Sequence, residues 1–251
     1  MVSSWFVISS EQKASVANLK NEDTNHRRVL LFDFDGTLVN TTPLILKSFR
    51  ATWQQVFGFT MDDADYIKTF GTLLHSALKQ LTQECIADGR ISAVTDLNSK
   101  ADELLKTYRE FNWRWHDETI EPFEGIADAV RELKTRGYQL GIVSSKLRVG
   151  VERGLNIFAM AELFDVIVSA DDVANHKPHP EPLFRALEKF DAAPHQAVYI
   201  GDSTHDIVAG KAAELATAAA AWGPFPRHEL EALHPDYLLN DPNELLRLFS
   251  R

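Results

Sequence analysis

The segment Val29-Leu30-Leu31-Phe32-Asp33-Phe34-Asp35-Gly36-Thr37 decides the fold. Its first four residues form a continuous apolar run, as expected of a parallel strand covered on both faces. Working outward, three more short runs share this look: Leu140-Gly141-Ile142-Val143, Val166-Ile167-Val168 and Ala197-Val198-Tyr199-Ile200. Helical patterns lie between them. Ile126, Val130 and Leu133 fall on one helix face, and Gly137 is placed to cap its end. Pro182 opens a further helix, with Phe184, Leu187 and Phe190 as its apolar positions. Strands alternating with helices of this length predict an α/β fold, a doubly wound (Rossmann-like) parallel sheet.

The interval between the first and second strands is too long for a single crossover helix. It is helical in pattern and poor in strand signals. Residues 42–118 are therefore expected to form an inserted α-helical cap, with 27–41 and 119–251 building the α/β core. Residues 1–26 lack a clear period and end in the polar stretch Lys20-Asn21-Glu22-Asp23-Thr24-Asn25-His26, which reads as an N-terminal extension.

With 251 residues, 45% of them apolar, the chain can bury an ordinary core. The formal net charge of −10 argues against nucleic-acid or anionic-membrane partners, which need clustered Lys and Arg. Cys85 is the single cysteine, so no internal disulfide forms. No apolar run approaches a membrane span, and Trp5-Phe6-Val7-Ile8 is too short for a signal peptide. The expected location is the cytoplasm, as a monomer or homodimer.

Ligands of open parallel sheets bind beyond the carboxyl ends of the strands. Those ends lead into Asp33 and Asp35, into Ser144, Ser145 and Lys146, into a loop reaching Lys177, and into Gly201-Asp202-Ser203-Thr204-His205-Asp206. One Asp after a strand is more often a cap or turn residue than a catalyst. Asp33 and Asp202 on adjacent strand ends would repel one another. A hard divalent cation with oxygen ligands, Mg²⁺, resolves that repulsion and lets a phosphate dianion approach.

Phe32-Asp33-Phe34-Asp35-Gly36-Thr37-Leu38, Ser144, His176-Lys177-Pro178-His179-Pro180-Glu181-Pro182 and Gly201-Asp202-Ser203-Thr204-His205-Asp206 resemble the four ordered motifs of the haloacid dehalogenase (HAD) superfamily. The resemblance covers nearly all of residues 28–250. It points to the phosphoglycolate phosphatase and PpaX-like pyrophosphatase branch with an α-helical cap. Glu121-Pro122-Phe123-Glu124-Gly125 and Pro235-Asp236-Tyr237-Leu238-Leu239 also resemble that branch.

The resemblance implies a Mg²⁺-dependent phosphatase acting on a small phosphorylated metabolite. Asp33 would be the nucleophile forming a phosphoaspartate, and Asp35 the acid and then the base. Ser144, Ser145 and Lys177 would bind phosphate. Asp33, Asp35 (through its carbonyl), Asp202 and Asp206 would serve the metal, Asp206 through water or by holding Lys177. Thr37 reads as a turn residue.

In the cap, Phe70-Gly71-Thr72-Leu73-Leu74-His75 resembles the loop that faces the active site. That makes Gly71 and Thr72 candidate substrate contacts. Arg114 joins them from the aromatic and basic stretch Phe111–His116. Two departures stand out. Glu214 replaces a usual Gly, at a cost of about 1–2 kcal/mol if its backbone is left-handed. Ala218–Ala221 reads as helix by propensity, whereas the resemblance implies a strand ending at Trp222-Gly223, and the strand is the expectation. The alternative functions are a phosphomutase, which also keeps Asp35, and a non-catalytic metabolite-binding protein.

Overall fold

A computed structural model describes residues 27–250; the expected N-terminal extension lies outside the described residues. Six parallel strands form the main sheet: β1 (Val29–Phe32), β4 (Gln139–Val143), β5 (Val166–Val168), β6 (Ala197–Gly201), β7 (Ala216–Ala220) and β8 (Tyr237–Leu239). Their spatial order is β5-β4-β1-β6-β7-β8, so the fold is a doubly wound parallel sheet. The four strands expected from apolar runs are all present. Phe32 pairs with Ile142 on one side and Ile200 on the other, which sets the ends of β1, β4 and β6 level.

Side chains alternate across β1. Leu30 and Phe32 join the core beneath α5 (Ile126–Thr135), α6 (Arg148–Ile157) and α10 (Glu244–Leu248). Val29 and Leu31 face α7 (Glu181–Phe190) and α8 (Thr204–Ala212). Gly137, at φ 84°, ends α5 as expected. In α7 the buried face is Leu183, Ala186 and Leu187, while Phe184 is 47% exposed. The expectation for Phe184 was one position out of phase, because the run Pro182–Phe184 let neighbouring positions compete for the buried stripe.

Alanine propensity favours helix, yet Ala216–Ala220 is a strand. It lies between β6 and β8, paired on both edges. Tertiary pairing outweighs a local preference of a few tenths of a kcal/mol per residue. Small side chains suit this place. A Cβ on Gly210 of α8 would already meet Thr217 Cγ2 at 2.5 Å.

The short antiparallel pair β2 (Val39–Asn40) and β3 (Glu121–Pro122) carries the chain out of the sheet and back. Between them lie α1 (Thr42–Phe57), α2 (Asp63–Ile67), α3 (Leu74–Ala87) and α4 (Leu97–Thr119). These four helices share a core of their own, including Phe49, Trp53, Tyr66, Leu78, Leu81 and Leu104. Phe49 stacks on Tyr66 at 5.0 Å. Among the described residues, no helix is long and apolar enough to cross a membrane.

Candidate active site

The site begins where β1 stops. The Asp33 amide donates to the Ile200 carbonyl at 2.9 Å, which holds the turn against β6. The Phe34 amide donates to Asp33 Oδ1 at 2.7 Å and orients the carboxylate. Phe34 itself is fully buried, in space left by Gly154, where a Cβ would lie 2.6 Å from the ring. With Phe34 turned inward, Asp33 and Asp35 both line one cavity of about 800 Å³ between the strand ends and the helices α1, α3 and α4.

Asp202 follows β6 and enters the same cavity. Its side chain is seated between Gly36 and Gly223. A Cβ on Gly36 would come within 2.4 Å of Asp202 Oδ2, and one on Gly223 within 2.3 Å of its Cβ. Gly36 also sits at φ 81°, where other residues are strained. The Thr37 hydroxyl donates to Asp202 Oδ1 at 3.0 Å, so Thr37 holds a site residue as well as its turn.

Lys177 is 3% exposed and lies behind Asp33, away from the cavity wall. Its ammonium donates to Asp33 Oδ2 at 3.0 Å, Asp206 Oδ1 at 2.7 Å and the Tyr199 hydroxyl at 3.0 Å. Asp206 is likewise outside the lining and fully buried. Its Oδ2 accepts from the Ser203 amide at 3.0 Å and the Ser203 hydroxyl at 2.6 Å, closing a capping box at the start of α8. One carboxylate thus caps a helix with one oxygen and anchors Lys177 with the other.

These placements shift the acids. Burial, aided by Asp206 and Asp35, outweighs Lys177 and pushes Asp33 up to about 7. Burial, with Asp206 and Asp33 as negative neighbours, holds Asp202 well above the carboxylate range. Burial opposes ionisation of Asp206 too, but Lys177 and the Ser203 bonds overcome it and its pKa falls. Burial would lower Lys177, yet Asp206 and Asp33 together raise it, so it stays an ammonium.

Asp33, Asp202 and Asp206 offer carboxylate oxygens that all lie within 4.8 Å of one another. With all three ionised, these buried carboxylates against one ammonium would leave two negative charges without a partner, which suits a divalent cation bound by oxygen. The donor set therefore fits Mg²⁺.

Ser144 is buried beside Asp33 at the end of β4 and lines the cavity. Ser145 lines it too, and its hydroxyl donates to the Gly71 carbonyl at 2.9 Å, tying the loop before α3 to the core. Gly71, at φ 80°, and Thr72 both line the cavity, as does Trp113. Arg114 does not. It is exposed, with its guanidinium 5.8 Å from the Phe111 ring centroid, because helical rotation turns position 113 toward the site and 114 away.

The chain matches the family described as haloacid dehalogenase-like hydrolase over residues 30–220. This chain is a haloacid dehalogenase-like hydrolase. It is 41% identical over 221 residues to pyrophosphatase PpaX of Bacillus cereus (strain G9842), covering 88% of this chain and 95% of that one. A similar likeness, 40% over 222 residues, links it to the pyrophosphatase PpaX of Bacillus mycoides (strain KBAB4), with 88% and 96% covered. Among solved structures it resembles a candidate phosphoglycolate phosphatase of Lactobacillus plantarum. The TM-score is 0.76 and the identity 30%, covering 89% of this chain and 99% of that one. A candidate haloacid dehalogenase-like hydrolase of Bacteroides fragilis superposes with a TM-score of 0.79 at 26% identity, covering 87% and 99%.

Two neighbours of the acids in this hydrolase escaped the sequence reading. Tyr199 was counted only as a strand residue. Its hydroxyl lies 2.9 Å from both the Val143 carbonyl and Asp206 Oδ1, and gives its one proton to either. Lys146, left without a role, pairs with Asp35 Oδ1 at 2.8 Å. The absence of a side chain at Gly150 gives it room, since a Cβ there would lie 2.9 Å from Lys146 Cε. Only the i+4 spacing of that lysine and glycine hinted at this.

Proposed function

We propose that this hydrolase is a Mg²⁺-dependent phosphatase that cleaves a small phosphorylated metabolite through a phosphoaspartate on Asp33. The observation that carries the reading is the meeting of Asp33, Asp35, Ser144 and Asp202 on one cavity wall, with Lys177 locked behind Asp33. The pyrophosphatase and phosphoglycolate phosphatase relatives support the same class. Helices α1 to α4 act as the cap over this wall, with 27–41 and 119–251 as the core.

An Asp33 oxygen attacks phosphorus, and the bond from phosphorus to the leaving oxygen breaks. Asp35 gives that oxygen its proton. Water then attacks the phosphoaspartate while Asp35 takes its proton, and Asp33 is released with inorganic phosphate. Ser144 donates to a phosphoryl oxygen throughout. Lys177, held by Asp206 and Tyr199, keeps Asp33 aligned and offsets its charge. Asp33, Asp202 and the Asp35 carbonyl would hold Mg²⁺, with Asp206 supporting the site. When bound, the cation neutralises the carboxylates and the charge developing on the phosphoryl group.

Asp33→Asn is expected to abolish phosphate release from pyrophosphate or phosphoglycolate while circular dichroism shows a native fold. Turnover near the wild-type rate would reject the mechanism. EDTA should suppress the wild-type rate and added Mg²⁺ restore it. Identifying the product separates hydrolysis from the transfer a phosphomutase would perform.

A further inference from the structure

Resting on the phosphatase reading, we infer that the substrate is an organic phosphomonoester whose leaving group carries a planar apolar body, which stacks on Trp113. The cavity, at about 800 Å³, falls among sites that house drug-sized ligands of roughly 300–1,000 Å³. Pyrophosphate needs far less. Most of its wall beyond the acids is apolar, with Ile45, Phe70, Leu73 and Leu105 among the contributors. Two large apolar side chains at its boundary are unusually open: Trp113 of α4 at 49% and Val149 of α6 at 56%. One comes from the helical insert and the other from the sheet's covering helix, and both line the cavity.

Trp113 is held as a platform. Arg153 lies over its ring at 4.0 Å from the centroid, and Asp117 fixes that guanidinium through contacts of 2.7 Å and 2.9 Å. The indole is thus backed by a pinned cation, and it lines the cavity while 49% exposed. Aromatic surfaces arranged this way favour offset stacking with a flat partner. On the same face of α4, one and two turns earlier, Arg109 and Lys106 line the cavity without ion-pair partners among the described residues. They attract any phosphate, large or small. Discrimination by leaving group falls to Trp113 and Val149.

Benzyl phosphate and ethyl phosphate carry the same dianion and similar alkoxide leaving groups, and differ in the planar body. Wild-type kcat/KM should favour benzyl phosphate by about tenfold, the size of a good aromatic contact. Trp113→Ala should bring that ratio close to unity, Trp113→Phe should keep most of it, and Val149→Asn should lower it. A ratio that Trp113→Ala leaves unaltered, or a wild type without preference, overturns the inference. Release of phosphate from pyrophosphate or ethyl phosphate in that case leaves the phosphatase reading standing. Release from no phosphate compound, with Mg²⁺ present, overturns both.

Discussion

Lys177 spends its ammonium protons on Asp33, Asp206 and Tyr199, a complete set of acceptors for a group with almost no exposure. Such a cation can stay buried only because each proton is used. Tyr199 is the least conspicuous member and the one that ties the cluster to the sheet through the Val143 carbonyl. Removing its hydroxyl in Tyr199→Phe frees one Lys177 proton and loosens the ammonium behind Asp33. A bond to a charged group contributes about 1.5 kcal/mol at the low end. The expected result is a kcat lowered roughly tenfold with KM little changed, since Tyr199 lies outside the cavity lining. Steady-state kinetics check it; an unaltered kcat would remove Tyr199 from the positioning role.

At the scale of one element, α8 shows a helix end built at a cost. Ser203 and Asp206 cap its start, and Glu214 ends it at φ 60°, with the Glu214 and Leu215 amides donating to Lys211 and Gly210 carbonyls. This is the left-handed position that glycine fills best. The sequence departure at Glu214 therefore carries real strain. Glu214→Gly should stabilise the protein by about 1 kcal/mol, after the added freedom of glycine in the unfolded chain is counted. The thermal midpoint should rise by roughly 2–4 °C with activity unchanged. A lower midpoint would show that the glutamate side chain contributes more than its backbone costs.

For the whole molecule, the charge of the site couples stability to pH, and a bound cation would enter the same balance. An unfolded Asp loses its proton near 4, while folded Asp33 keeps one until about 7. Between those values the folded state binds more protons, so this group lowers stability as pH rises from 4 toward 7. Asp202, shifted the same way, adds to the trend. A divalent cation at the cluster removes the penalty, and protons compete with it at low pH. The rise in thermal midpoint on adding Mg²⁺ should therefore be larger at pH 7.5 than at pH 5, and Asp202→Asn should abolish most of it. An equal rise at both pH values, or one retained in that variant, would count against a cation held by these acids.

The local sequence determined the buried strands and the identity of the acids, because a run such as Val29–Phe32 has one stable environment and Asp33 must follow it. Helix ends marked by Gly137 and Pro182 were legible for the same local reason. Tertiary structure alone decided the rest. Ala216–Ala220 became a strand because β6 and β8 offered pairing on both sides. Trp113, not Arg114, reached the cavity because the rotation of α4 is fixed by its packing against the other helices. Of the partners of Lys177, Asp33 and Asp206 stood among the expected site residues, whereas Tyr199 reached the ammonium only through packing across the sheet.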